Sequence, residues 1–206
     1  MALPTYDKSK RRTSFEQLPK GAYVIKILGA KEEEGNYGPQ VTIAFDIAEG
    51  EYKGFYQAQF DHNTNEDKKW PFDAVYYLSV PQDGSPEYYW TNWNTFFADL
   101  EDSNKGFIFD GDVKKLKGKL IGGKFHIKQT EYNGNVYDHT KLKWTCVAED
   151  VRKGKAGKMP ADKLIGQGQR SPAPASSGNS EMDGFVNLPD PRRQSGTGDA
   201  ESSRKI

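Results

Sequence analysis

The sequence predicts a mainly β fold: a five-stranded barrel with a single helix between strands three and four, and a disordered C-terminal tail behind it. Three observations carry that expectation. Three strand-like runs come first, one run with helical spacing follows, and two further strand-like runs flank the pair Asn133-Gly134. After about Val151 the apolar residues thin out abruptly. Five strands with one helix after the third is the layout of an OB-like barrel, an architecture that binds single-stranded nucleic acids or oligosaccharides.

The first strand is expected over residues 21–30, GAYVIKILGA, where Tyr23, Ile25 and Ile27 alternate with Val24, Lys26 and Leu28. An acidic turn over residues 32–38 leads to the second, QVTIAFDIAE, with Val41, Ile43, Phe45 and Ile47 on one face. A Gly-containing turn over residues 49–54 then leads to a third strand over residues 55–60, with Gln57 and Gln59 opposite Tyr56, Ala58 and Phe60. Residues 62–83 read as an irregular insertion with room for a short helix. Ser85-Pro86-Glu87 has the chemistry of a helix start: a hydroxyl to cap amides, a proline whose missing N–H costs nothing, and an acid at the positive end of the dipole. Tyr89, Trp93, Phe96, Phe97 and Leu100 follow at helical spacing, and Asn104-Lys105-Gly106 ends the run. The fourth and fifth strands, residues 119–129 and 136–147, are joined at Asn133-Gly134, which suits a type I′ turn because both central residues need positive φ. In the fifth, Leu142, Trp144 and Cys146 alternate with Lys141, Lys143 and Thr145, so one face is expected to be apolar and the other to present ammonium groups.

The 206 residues therefore divide into a flexible arm at 1–17, a barrel at 18–153 and a tail at 154–206. The tail is Lys/Gly-rich and then Ser/Pro/Ala/Gly-rich, too polar to offset its chain entropy by burial. Within it residues 182–189, MDGFVNLP, form an isolated apolar patch, and Phe185, Val186 and Leu188 are its candidate partner-docking side chains.

Lys+Arg and Asp+Glu are equal at 29 each, which excludes coating of duplex DNA by net charge alone. The distribution still allows a basic side, because Lys114, Lys115, Lys117, Lys119, Lys124 and Lys128 crowd one stretch. One cysteine, Cys146, excludes an intrachain disulfide and a multi-cysteine zinc site, and fits a reducing cytoplasm. Residues 1–12 lack the apolar core of an export signal, and no apolar run is long enough to span a bilayer.

Aromatic residues interleaved with lysines suit single-stranded nucleic acid, since bases stack on rings and ammonium groups neutralise phosphates. The candidate contacts are Tyr37, Tyr52, Lys53, Tyr56, Lys124, His126, Lys128, Tyr137, Lys141 and Lys143. Each also suits a plain structural role, the tyrosines closing the core and the lysines forming a solvated face. The pairs Asp61-His62 and Asp138-His139 do not make a chelating or acid-base couple within a strand, because neighbours there point to opposite faces. GKLIGGK at residues 118–124 lacks P-loop spacing, and no other nucleotide or hydrolase signature occurs.

LPKGAYVIKILGA (residues 18–30), FDIAEGEYKGFY (45–56), SNKGFIFDGDVKKLKGKLIG (103–122) and DGFVNLPD (183–190) resemble phage and prophage proteins of low-GC Gram-positive bacteria described as single-stranded-DNA-binding-like. The resemblance implies an OB-like core, a role near phage replication or recombination, and a tail that in many relatives ends in an acidic-apolar docking tip. Here the chain ends Ser202-Ser203-Arg204-Lys205-Ile206, which is basic, so Phe185 to Leu188 become the better docking candidates.

The expectation is a cytoplasmic, non-catalytic single-stranded-DNA-binding protein that needs no cofactor or metal, has no membrane segment, and uses its tail to meet phage or host replication and recombination proteins. Whether it forms a homo-oligomer is left open. Two other readings stand beside it. One is a protein-interaction module that inhibits or adapts a host complex, which the zero net charge favours. The other is a metal-dependent nuclease built on Asp61, Asp110 or Asp112.

Overall fold

The computed structural model describes residues 17–166. Five antiparallel strands, β1 (Ala22–Gly35), β2 (Gly38–Ile47), β3 (Val75–Ser79), β4 (Leu120–Tyr132) and β5 (Asn135–Cys146), join in the order β3-β2-β1-β4-β5. Three helices accompany the sheet: α1 (Phe55–His62) between β2 and β3, α2 (Glu87–Ser103) between β3 and β4, and α3 (Ala148–Arg152) after β5. The fold is thus mainly β, with a five-stranded antiparallel sheet whose edges are β3 and β5.

The alternation seen in the sequence explains the core. Ile25 and Ile27 of β1 and Val41, Ile43, Phe45 and Ile47 of β2 are buried together, and Phe96, Phe97 and Leu100 of α2 pack with them. Phe97 stacks on Phe109 at 3.8 Å and Tyr76 of β3 stacks on Phe96 at 6.1 Å, so ring contacts join α2 to β3 and to the loop after it.

Two turns define the ends of the long hairpins. The ladder of β1 and β2 continues through the acidic residues to Gly35↔Gly38, which moves the turn from the expected residues 32–38 to Asn36-Tyr37. Glu33 is tolerated there because it pairs with Lys31 and accepts hydrogen bonds from Thr42 and Gln40 across the strands. At the β4–β5 turn Asn133 has φ 50° and Gly134 φ 74°, the positive pair that the sequence required.

The expected third strand is a helix. Residues 55–60 lie in α1, and the third strand is β3, inside the segment read as an irregular insertion. The reason lies outside those residues. Gly54 adopts the left-handed conformation at the helix start, φ 74°, and the buried Asp46 of β2 accepts hydrogen bonds from the α1 amides of Tyr56 at 3.0 Å and Gln57 at 3.2 Å. The single expected helix becomes three, of which α2 keeps the expected place. Its start differs too: Pro86 is the capping position without a side-chain bond, and the Ser85 hydroxyl accepts from the Gln82 amide instead. Asn104 closes its other end, donating to the carbonyls of Leu100 and Leu120 and accepting from the Leu120 amide.

The chain does not leave the fold at residue 154. Residues 161–165 run parallel to β4: the Gln129 amide donates to the Lys163 carbonyl at 2.9 Å and the Lys163 amide to the Ile127 carbonyl at 2.8 Å. The Asp162 carboxylate accepts from the Ile127 amide at 3.0 Å and pairs with Lys20 at 2.7 Å. A polar segment is held here by backbone pairing rather than by apolar burial. A chain ending at Gly154 should therefore be less stable than one ending at Gly166 by roughly 2–4 kcal/mol, at about 1 kcal/mol per hydrogen bond lost. Urea denaturation of the two chains checks this, and equal midpoints would show the segment to be a passive neighbour. Of the arm expected at 1–17, residues 1–16 lie outside the described residues, as do the docking residues Phe185, Val186 and Leu188, while Gln17 donates to the Thr140 hydroxyl at 3.1 Å.

Candidate nucleic-acid interface

β4 and β5 place one set of side chains on a common outer face. Register pairs Lys124 with Trp144, His126 with Lys141, Lys128 with His139, and Thr130 with Tyr137. Residues opposite one another in a ladder share a face, and so do alternate residues along a strand, so these eight lie together with Tyr132. A bulge separates the pair Lys124↔Trp144 from Phe125↔Leu142 and leaves Lys143 as the extra residue. That bulge corrects the expected alternation in the fifth strand. Leu142 faces the core, whereas Trp144, expected to share its face, is 40 % exposed.

The lysines on this face repel one another. Burial and the neighbouring Lys163 and Lys143 ammonium groups hold Lys128 below the ordinary lysine range. Among the described residues Lys124, Lys128, Lys143 and Lys163 have no ion pair with a carboxylate. Half-exposed rings border them: Tyr137, Tyr132, Trp144 and Phe72.

Lys141 differs from its neighbours. The turn Phe72–Ala74 that precedes β3 lies beside β5, and Lys141 donates to the Phe72 carbonyl at 2.6 Å, lies 3.2 Å from the Asp73 carboxylate and sits over the Phe72 ring. His139 reaches Asp73 at 3.3 Å and Thr130 at 3.0 Å. These side chains span the gap between the two edge strands. Burial pushes Lys141 down to about 8 although Asp73 opposes the shift, and Lys128 adds to it. Burial would raise the Asp73 carboxyl, but His139 and Lys141 hold it below its ordinary value.

The sign of the resulting pH dependence follows from linkage. Between about pH 8 and 10.5 the unfolded chain holds a proton on Lys141 that the folded chain has released, so this group makes stability rise with pH. Below that window its cost is present in full. The gain across the window is on the order of 2–3 kcal/mol. Tyr76, raised by burial to about 12, works the other way, but only above the ordinary tyrosine range. Urea denaturation at about pH 7.5 and pH 9.5 should show the rise in the natural chain and a smaller one in Lys141→Met, where the depressed Lys128 still contributes. An identical pH response in both would rule out Lys141 as its source.

The remaining sequence candidates scatter. Tyr37 stands at the tip of the β1–β2 turn and is 79 % exposed. Lys53 is exposed on the turn before α1, and Tyr52 beside it packs edge-on against Tyr23 and Phe55 at the margin of the core. Tyr56 is 1 % exposed and meets Phe45 and Phe55, so it cannot stack a base: its helix turns it inward. His126 is buried, with Nδ1 2.9 Å from the Ala161 carbonyl, because residues 161–163 cover it. Trp144, Lys163, Phe72 and Asp73 were missed. Trp144 stood between Lys143 and Thr145 as a possible signal, but no local pattern marks the others.

The acid-base alternatives find other partners. Asp61 accepts from Gln57 on α1, His62 meets the Ala58 carbonyl, Asp138 accepts from Gln129, and Asp110 pairs with Lys115. Among the described residues no group of three His, Cys, Asp or Glu side chains converges as a metal site. Cys146 is buried, and burial pushes its thiol up to about 11. Among the described residues no helix is long and apolar enough to cross a membrane. No protein-family model matches the chain, and no curated protein matches it.

Proposed function

We propose that this chain binds single-stranded DNA without catalysis, through the outer face of β4 and β5. One observation carries the reading: Lys128, Lys143 and Lys163 crowd together without carboxylate partners among the described residues, bordered by the exposed rings of Trp144, Tyr137 and Tyr132. Uncompensated like charges raise the folded chain's energy, and a polyanion relieves that repulsion. The rings supply sequence-tolerant stacking of about 1–3 kcal/mol per base.

The loops of the fold, rather than its second and third strands, support this use. We read the order β3-β2-β1-β4-β5, with α2 between β3 and β4, as an OB-like arrangement open between its third and fifth strands, where Asp73, His139 and Lys141 bridge the gap. In OB barrels the loops after the first and fourth strands flank the ligand. Here Tyr37 stands in the first of these loops, and Tyr132 and Tyr137 lie on the strands next to the second. The setting we infer, phage or prophage replication or recombination, rests on the sequence resemblance alone.

A titration with oligo-dT tests the reading. Tryptophan emission should be quenched on binding, and affinity should fall with rising salt as counterions are released. Trp144→Ala should remove part of the quench and weaken binding by roughly tenfold, the value of one stacked base. Absence of quenching and of gel retardation at low salt would sink the proposal.

A further inference from the structure

The loop between α2 and β4 forms an open cleft of about 410 Å³, lined by none of the residues of the strand face described above and independent of the reading given to it. One wall is the stretch that carries Lys105, Phe107, Ile108 and Asp110, and the other carries Lys115, Lys117 and Lys119. Both walls are pinned. The Phe109 amide donates to the Glu101 carboxylate at 2.9 Å, the Gly118 amide to the Ile27 carbonyl at 2.7 Å, and the Ile27 amide to the Lys119 carbonyl at 2.9 Å.

Four ammonium groups thus border one depression that holds a single carboxylate, Asp110, and Asp110 is already paired with Lys115. Among the described residues Lys105, Lys117 and Lys119 have no carboxylate partner. An anionic ligand would supply the counter-charge that these three ammonium groups lack. The apolar lining says which kind. Stacking a base needs an open ring face, but Lys119 lies 4.5 Å over Phe107, and Phe109 is stacked on Phe97. The open apolar surface is instead the aliphatic Ile108, 77 % exposed at the cleft wall. Carboxylates beside an apolar side chain match this lining better than phosphates beside a base.

We propose that the cleft between residues 105–110 and 115–119 docks an acidic peptide segment of a partner protein, with carboxylates on Lys105, Lys117 and Lys119 and an apolar side chain against Ile108. The strand face stays free, so partner and DNA bind at once.

The test uses the full chain and a short fluorescein-labelled peptide of alternating Asp and Leu, followed by anisotropy. Binding should saturate, and the same peptide with Lys in place of Asp should not bind. Lys105→Glu with Lys117→Glu should weaken binding by more than about tenfold, and Ile108→Ala by about threefold to fivefold, with oligo-dT affinity unchanged. All three positions are exposed, so thermal unfolding should match that of the natural chain. Amide shifts in the unaltered chain give a second readout, and the peptide should move Gly106, Ile108 and Lys117. No saturable binding, shifts elsewhere, or binding indifferent to the paired substitution would each overturn the proposal. Loss of oligo-dT affinity in the paired variant would assign the cleft to the nucleic-acid path and overturn it as well.

Discussion

Asp46→Ala should be among the most destabilising single substitutions in this chain, lowering unfolding free energy by about 3–4 kcal/mol. Asp46 is buried in β2, yet its carboxylate accepts from three amides: Ile47 at 2.8 Å, Tyr56 at 3.0 Å and Gln57 at 3.2 Å. Two of these are orphan donors of the first turn of α1, which has no side-chain cap of its own. Alanine would leave the three amides unpaired around an emptied site, and each unsatisfied buried donor costs about 1–3 kcal/mol before relaxation. The expected fall in Tm is about 10 °C, taking 2–4 °C per kcal/mol for a domain of this size. Asn keeps one acceptor oxygen and the shape, so Asp46→Asn should show about half the loss. Thermal melts of the three chains decide it, and a drop of under about 2 °C for alanine would show that α1 is held by packing alone.

The same residue explains what the sequence concealed. In Tyr56-Gln57-Ala58-Gln59-Phe60 a period of two fits as well as a helical one, because the run is too short to separate them. Its conformation is decided by a carboxylate ten residues earlier and a left-handed glycine before it, neither of which enters a local pattern. Where a pattern was long enough or the turn chemistry unambiguous, it held: β2, the buried stripe of α2 and the Asn133-Gly134 turn are as expected.

The candidate site was legible in type rather than in membership. Lysines and aromatics were expected on a strand face, and Lys124, Lys128 and Tyr137 share one, with Lys143 near Lys128 at the bulge. Tyr56 and His126 were lost to burial by elements distant in sequence, and Lys141 is held by Asp73. Trp144 came to the surface through a one-residue bulge, which shifts every later side chain of the strand to the other face. Lys163 arrives from a segment whose polar composition hid its backbone pairing with β4.

Neutralising the lysine cluster should lower DNA affinity without lowering stability, and this opposition separates a binding surface from a structural one. The Lys128 ammonium is disfavoured first by burial and then by Lys163 and Lys143, so Lys143→Gln with Lys163→Gln removes a repulsion and leaves the fold equally stable or more so. The substitutions touch exposed side chains, and the pairing of residue 163 with β4 runs through its backbone. If the cluster tracks phosphates, adding Lys128→Gln should reduce the slope of log affinity against log salt by about 2, at roughly 0.7 per phosphate contact on a single strand. Affinity for oligo-dT at low salt should then fall by about a hundredfold or more. A merely solvated face predicts the opposite pair of results: unchanged slope and unchanged affinity, with the same small gain in stability. Measuring urea midpoints and salt-dependent titrations on the same preparations distinguishes the two. Loss of binding accompanied by loss of stability would support neither, because the lysines would then be holding the fold through contacts that the like-charge crowding around Lys128 does not provide.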